Sequence, residues 1–215
     1  MYFPTYHINR FYKDPDSVVK LANSFEYRKP SEGNYPGVRV NIFDANKDLF
    51  NYSCAKAIRL ITGGEGFSFT AQNSFQKITY NDVKDFEGWI HTDNDSMLTV
   101  IIYLSKTNLS RKGTTVYKPK IEGVALQDQT AKYKNNSGDK ISDEEYQNAL
   151  KNNNQNFEPL FTSYANYNSA VMFDGCNYHG AHFDLQPGEE RLTQVIFFEN
   201  ISIERIPIVN FDRTV

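Results

Sequence analysis

The sequence has only two cysteines, Cys54 and Cys176, and no CxxC spacing. That scarcity argues against a disulfide framework and predicts a reduced, cytosol-like setting. No apolar run reaches the ~18 residues of a membrane span. The first residues, MYFPTYHINR, lack the charged start and apolar run of a signal peptide. Positive charge is not in excess: 23 Lys and Arg face 26 Asp and Glu, for a net charge of -3. There is thus no electrostatic basis for a nucleic-acid partner, which needs a basic face. These absences predict a cytoplasmic globular protein with neither a nucleic-acid nor a membrane partner. The abundance of Asn and Lys suits the AT-rich genome of a bacterium or a phage. Histidine is scarce too, with only four in the chain.

What is present favours strands. The 16 Phe and 14 Tyr, together with frequent Ile and Val, are residues that fit pleated, half-buried surfaces. The length of 215 residues suits one domain, 1–215, with a full core and room for an insertion. Two helices are expected first. In DPDSVVKLANSFEY, Asp14 is a cap, Pro15 suits the first helical position, and Val18, Leu21, Ala22 and Phe25 share a face. In NKDLFNYSCAKAIRLITGG, Leu49, Phe50, Cys54, Ala57, Ile58 and Ile61 form the buried side, and Gly63–Gly64 stops the helix. PGVRVNIFD between them reads as a short strand. From Gly66 onward the period changes to two: GFSFTAQNSFQKITY, SMLTVIIYLS, GTTVYKP, SAVMFDG and RLTQVIFFENISIERIPIV all read as strands. The pattern is mainly β with supporting helices, a sandwich or jelly roll with helices on one side. Helical support covers roughly residues 11–64 and the β core roughly 66–208.

A polar insertion over roughly 119–159 interrupts this pattern. Ser142 and Glu145 form a capping box for a short helix to about Asn152. The segment reads as a solvated surface excursion or as a lid over a site.

The chemistry-bearing residues fall in two places. In GWIHTDNDSM, His91 and Asp93 are two apart, so on an extended chain both side chains share a face and can reach one ion. A third ligand from a distant strand would complete a two-His, one-carboxylate face, an arrangement that leaves coordination positions open for substrates. The pattern alone is weak, since it recurs as His182-Phe183-Asp184. Chain order separates the two copies. No histidine follows residue 182 to complete the second pair, whereas CNYHGAHFDLQPGEERLTQ offers His179 and His182 to complete the first. Trp89, Tyr80 and the stretch NSFQKITY are candidate rim or substrate contacts.

The order His91-x-Asp93, IIYLS, KGTTVY, MFDGCNYHG and RLTQVIFF resembles the 2-oxoglutarate- and Fe(II)-dependent dioxygenases, nearest the prolyl-hydroxylase-like branch. The likeness covers roughly 66–200. It implies a double-stranded β-helix, a cupin-like jelly roll, with N-terminal α-helices on one side. Where the family has Tyr-Leu-Asn and a double glycine, this chain has YLS and the single Gly113. Counted from the Phe173-Asp174 strand end, the family's distal histidine falls on His179, while the spacing to Arg191 does not discriminate between His179 and His182. The resemblance thus implies His91, Asp93 and His179 as iron ligands. Arg191 would anchor the far carboxylate of 2-oxoglutarate, aided by Tyr103 and Thr193; an arginine fork matches a carboxylate and stays charged when buried. It also implies use of O2, with ascorbate as a candidate reductant, release of succinate and CO2, and hydroxylation of a C–H bond. A prolyl or other protein side chain is the leading substrate, a small molecule the alternative. Two other classes compete: a non-catalytic jelly-roll binding module, and a cupin-like metalloenzyme that does not use 2-oxoglutarate.

Overall fold

The computed structural model describes residues 3–29, 35–63, 66–83, 88–93, 95–106, 111–121 and 142–203. A first short strand β1 (Tyr6–Ile8) precedes helix α1 (Pro15–Asn23). The Asp14 side chain caps α1 by accepting from the Ser17 N–H, and Pro15 opens the helix as the sequence predicts. Strand β2 (Val38–Asn41) then runs into a single helical turn, α2 (Ile42–Ala45), and into α3 (Lys47–Thr62). The strand expected over PGVRVNIFD therefore stops at Asn41. The Asn41 side chain accepts from the Phe43 N–H at 2.8 Å, a local bond that competes with sheet pairing and turns the chain. Asn46 caps α3, and Gly63 ends it in the left-handed conformation, φ 61°.

The strands form two antiparallel sheets. Strands β3 (Phe67–Thr79), β4 (Leu98–Tyr103), β7 (Ala170–Asp174) and β9 (Glu190–Ile203) build the larger one with β1 and β2, in the order β1-β7-β4-β9-β3-β2. The smaller sheet is β6-β5-β8, made of β6 (Phe157–Tyr164), β5 (Lys112–Pro119) and β8 (Tyr178–Ala181). Three of these strands, β1, β6 and β8, are absent from the sequence reading. Strands β1 and β8 are too short to show a period, and β6 carries Pro159 and lies at a sheet edge, where a proline is tolerated. Helix α4 (Tyr80–Val83) is one turn after β3, and α5 (Asp143–Asn154) is the insertion helix, capped by Ser142 as expected. The parts of the insertion and of the last strand expected over 122–141 and 204–209 lie outside the described residues.

Period-two alternation gives the large sheet two different faces. On β9, Leu192, Ile196 and Phe198 join Leu98, Val100 and Ile102 of β4 against Val18 and Ala22 of α1 and Phe50, Cys54, Ala57 and Ile58 of α3. This is the main core. The intervening residues of β9, namely Arg191, Thr193, Val195 and Phe197, point the other way and line a cavity facing the small sheet. The inner faces of the two sheets meet through Tyr103, Val171 and Phe173 on one side and Val116 on the other.

Candidate metal centre and its cavity

The segment between α4 and β4 carries His91 and Asp93 and is fixed by backbone bonds rather than by a regular strand. The His91 N–H donates to the His179 carbonyl at 2.9 Å, and the His179 N–H donates back to that of His91 at 2.8 Å. The Asp93 N–H donates to the Gly175 carbonyl at 2.8 Å. A Cβ at position 175 would lie 1.8 Å from the Ser96 carbonyl oxygen and 2.7 Å from that of Asp93, so only glycine lets the two chains approach this closely. Helix α5 braces the same segment from outside. Tyr146 and Leu150 cover the buried Trp89 ring, the Asn153 amide donates to the Ile90 carbonyl, and Asn154 bonds both the Ile90 N–H and the Gly88 carbonyl. The described helix of the insertion thus holds up the His91 segment.

His91, Asp93 and His179 converge, with one ligand atom from each lying within 4.8 Å of the others. Nε2 of His91 is 3.6 Å from Asp93 Oδ1, and Nε2 of His179 is 3.3 Å from Oδ2. Each ring is oriented from behind: Nδ1–H of His91 donates to the Trp89 carbonyl at 2.7 Å, and Nδ1–H of His179 donates to that of Asn177 at 3.0 Å. A carbonyl only accepts, so Nδ1 carries the proton in both rings and a neutral ring turns its Nε2 lone pair toward the carboxylate. Two lone pairs and a carboxylate facing one another repel unless a cation lies between them. The donor set therefore fits a divalent metal of the kind that takes two imidazoles and one carboxylate with further positions open. Burial alone would raise the Asp93 pKa, but positive charge on the His179 and His91 side, as protonated rings carry it, outweighs burial and holds the carboxyl well below the usual range. Thr99, which the sequence reading does not single out, donates its hydroxyl to Asp93 Oδ2 at 2.8 Å.

His182 does not join this group. Its ring Nε2 is 2.8 Å from the Thr115 hydroxyl, and its N–H donates to the Gly113 carbonyl. Asp184 lines a separate, smaller cavity together with His182.

The three converging side chains open onto a cavity of ≈ 130 Å³ that is also lined by Arg191, Thr193, Gln76, Thr114, Trp89 and Arg39. Arg191 is 8 % exposed. Its Nη1–H donates to the His182 carbonyl at 2.8 Å, its face lies against the Tyr103 and Phe183 rings, and its buried Nε has no partner among the described residues. Neither neighbouring glutamate neutralises it, since Glu189 pairs with Arg111 and Glu190 with Lys77. Burial pulls the Arg191 pKa below the usual arginine value. A buried charge without an ion pair among the described residues is costly unless a ligand supplies the counter-charge. Thr193 faces the cavity two residues along, as period two requires. Tyr103 lies directly opposite it on β4, but its hydroxyl donates to Thr114 at 2.9 Å, and it is Thr114 that faces the cavity. Burial raises the Tyr103 pKa, with Arg191 opposing. Arg39 and Thr114 were not legible as site residues. The alternation in Val38-Arg39-Val40 was the available signal for Arg39, because it sets the arginine on the face opposite to two valines.

This architecture is a double-stranded β-helix, a fold it shares with solved 2-oxoglutarate/Fe(II) oxygenases. It is similar to HygX from Streptomyces hygroscopicus, whose structure holds nickel and 2-oxoglutarate (TM-score 0.56, 12 % identity, 91 % of this chain and 82 % of that one). It is also similar to the non-heme α-ketoglutarate dependent epimerase SnoN from nogalamycin biosynthesis (TM-score 0.54, 12 % identity, 96 % and 83 %). A 2OG-Fe(II) oxygenase-family oxidoreductase from Burkholderia pseudomallei shares the fold as well (TM-score 0.52, 10 % identity, 90 % and 83 %). No curated protein sequence matches the chain. Residues 3–198 match the family of unknown function DUF6445, and the chain belongs to that family. No helix among the described residues is long and apolar enough to cross a membrane.

Proposed function

We propose that this chain is a 2-oxoglutarate- and Fe(II)-dependent oxygenase that hydroxylates a C–H bond. The observation that carries the reading is one cavity in which two imidazole Nε2 atoms and a carboxylate converge while a buried arginine has no ion-pair partner among the described residues. His91, Asp93 and His179 would hold the metal, and Arg191 with Thr193 would bind the far carboxylate of 2-oxoglutarate. Iron with 2-oxoglutarate and O2, ascorbate serving as a reductant, would supply the oxidising chemistry, with succinate and CO2 released. The residues of the chain would provide position and shelter. Backbone carbonyls at Trp89 and Asn177 fix both rings, Thr99 fixes the carboxylate, and Ile101, Val195, Phe183 and Phe197 line the cavity with apolar surface that keeps water out.

A prolyl residue of a protein or peptide is the substrate that the sequence resemblance supplies. The fold does not select it, since the similar SnoN is an epimerase. A non-catalytic binding module would have no use for a metal-type donor set beside an unpaired arginine. A cupin-like enzyme without 2-oxoglutarate would have no use for Arg191. Anaerobic titration with Fe(II) and then 2-oxoglutarate tests the reading. The visible charge-transfer band of the chelate should appear, followed under air by succinate release. Folded protein giving neither would exclude it. A proteomic search for residues gaining one oxygen atom would then identify the substrate.

A further inference from the structure

The reaction proposed above leaves Arg39 without a task. Its guanidinium carbon lies 3.4 Å from the centre of the Tyr35 ring and 5.8 Å from that of Phe197. Its Nη2–H donates to Gln76 Oε1 at 3.2 Å, and Gln76 is itself held by donating its Nε2–H to the Pro36 carbonyl at 2.8 Å. The group thus lies against the Tyr35 ring, with the Phe197 ring near it, and is held along one edge by Gln76. Among the described residues its buried Nε has no hydrogen-bond partner, and no carboxylate forms an ion pair with it. Burial lowers its pKa to about 10, with Tyr35 and the Asp93 carboxylate opposing, so it stays charged at neutral pH. Arg39 lines the same cavity as His91, Asp93 and His179.

Strand register separates Arg39 from the other arginine. Arg39 lies opposite Gln76 on β3, Gln76 opposite Thr193 on β9, and Thr193 opposite Tyr103 on β4. Arg39 is therefore two strands from Thr193, roughly 10 Å across the sheet, so it is a second anchor point on the same wall. Charge balance, which rests on the oxygenase reading, leaves it unmatched. The divalent metal would be neutralised by Asp93 and the near carboxylate of 2-oxoglutarate, and Arg191 by the far one. Among the described residues that line the cavity, Arg39 is then the cation left without a counter-charge of its own. A guanidinium held against a ring and along one edge, with part of its fork unused, is matched to a two-oxygen anion.

We propose that Arg39, held by Tyr35, Phe197 and Gln76, binds an oxyanion, a carboxylate or phosphate, carried by the primary substrate. The substrate class is then an anionic molecule whose reacting C–H bond is set by the reach from Arg39 to the metal. A purely structural Arg39 would serve only to pack the two rings.

The test uses protein loaded with Mn(II) and 2-oxoglutarate, so that nothing turns over, titrated calorimetrically with acetate and with inorganic phosphate. Wild type should bind one of them saturably, and which one it prefers identifies the group. Arg39→Gln should weaken that binding roughly tenfold or more, Arg39→Lys should lie between, and 2-oxoglutarate affinity should be unchanged in both. Thermal melting establishes that each variant is folded; where Arg39→Gln is not, Arg39→Lys carries the comparison. Equal anion affinity in wild type and variant, or no saturable anion binding by wild type, overturns the proposal. Loss of 2-oxoglutarate affinity in Arg39→Gln, with affinity retained in Arg191→Met, also overturns it by making Arg39 the co-substrate anchor. Failure of the oxygenase reading is visible separately, as wild type that binds neither Mn(II) nor 2-oxoglutarate. The same anion titration of the metal-free protein then still reads Arg39.

Discussion

Gln194 and Thr193 are neighbours on β9 and point to opposite faces of one sheet, and the polar groups on those faces are treated differently. On the helix side, Gln194 is fully buried. Its Oε1 accepts from the Tyr12 hydroxyl at 2.5 Å, and its Nε2 donates to Ser53 Oγ at 3.1 Å and Asn73 Oδ1 at 3.0 Å. Asn73 Nδ2 donates in turn to Ser53 at 2.9 Å, and Ser53 donates to the Leu49 carbonyl at 2.8 Å. The network closes within the protein. On the cavity side, the buried Nε atoms of Arg39 and Arg191 have no partner, two of the five such groups among the described residues. A buried polar network that is complete specifies packing, whereas one left incomplete is costly until a ligand completes it. The helix face should therefore carry stability and the cavity face should carry binding.

The sharpest way to break this contrast is His179→Ala. It should leave melting almost unchanged while succinate release falls below detection, a larger loss than the 10–100-fold typical of groups behind a metal ligand. Phe198→Ala on the opposite face should do the reverse. It removes a fully buried ring and should cost ~3–5 kcal/mol in denaturant unfolding, with 2-oxoglutarate affinity retained by the folded fraction. Arg191→Met comes next. Loss of the charged anchor should weaken 2-oxoglutarate binding by ~2–5 kcal/mol in calorimetry, yet the ligand-free protein should melt no lower, because an unpaired buried charge is gone. A melting temperature that fell with Arg191→Met would show the arginine to be structural. Thr99→Val keeps shape and removes the donor to Asp93, and should lower metal affinity by about 10–100-fold in a competition titration with a chelator.

The smallest effect is expected at the rim. The hydrogen bond from Arg111 lowers the Glu189 pKa, so this pair favours the fold above the ordinary glutamate range. That contribution fades as pH falls through the lowered value. Because the pair is exposed and screened, Glu189→Gln should shift acid unfolding only slightly and leave 2-oxoglutarate affinity unchanged. A change in that affinity would mean that Glu189, rather than a ligand, governs Arg191.

Much of the contrast between the faces was legible in advance, and the reasons are local. Capping at Asp14 and Ser142 and the stop at Gly63 act within a turn or two, so composition and spacing reveal them. The long strands β3 and β9 show period two over enough residues to assign, and that period puts Arg191 and Thr193 on one face. Strands β1 and β8, three and four residues long, have no readable period. The turn after Asn41 depends on one side-chain bond that can form or not form in an identical sequence.

The sequence by itself determined the alternation of the strands, the positions of the caps, and a His-x-Asp pair whose third partner had to come from late in the chain. These follow from covalent spacing and from burial preferences that operate over a few residues. Spacing alone left His179 and His182 open, and only the family resemblance pointed to His179. The tertiary structure turns His179 toward Asp93, because it pairs His91 against His179 across a close approach at Gly175. Only the tertiary structure set Arg39 on the wall of the same cavity as that group. Its strand lies about 140 residues before the distal histidine, and no rule of spacing reaches across two sheet registers.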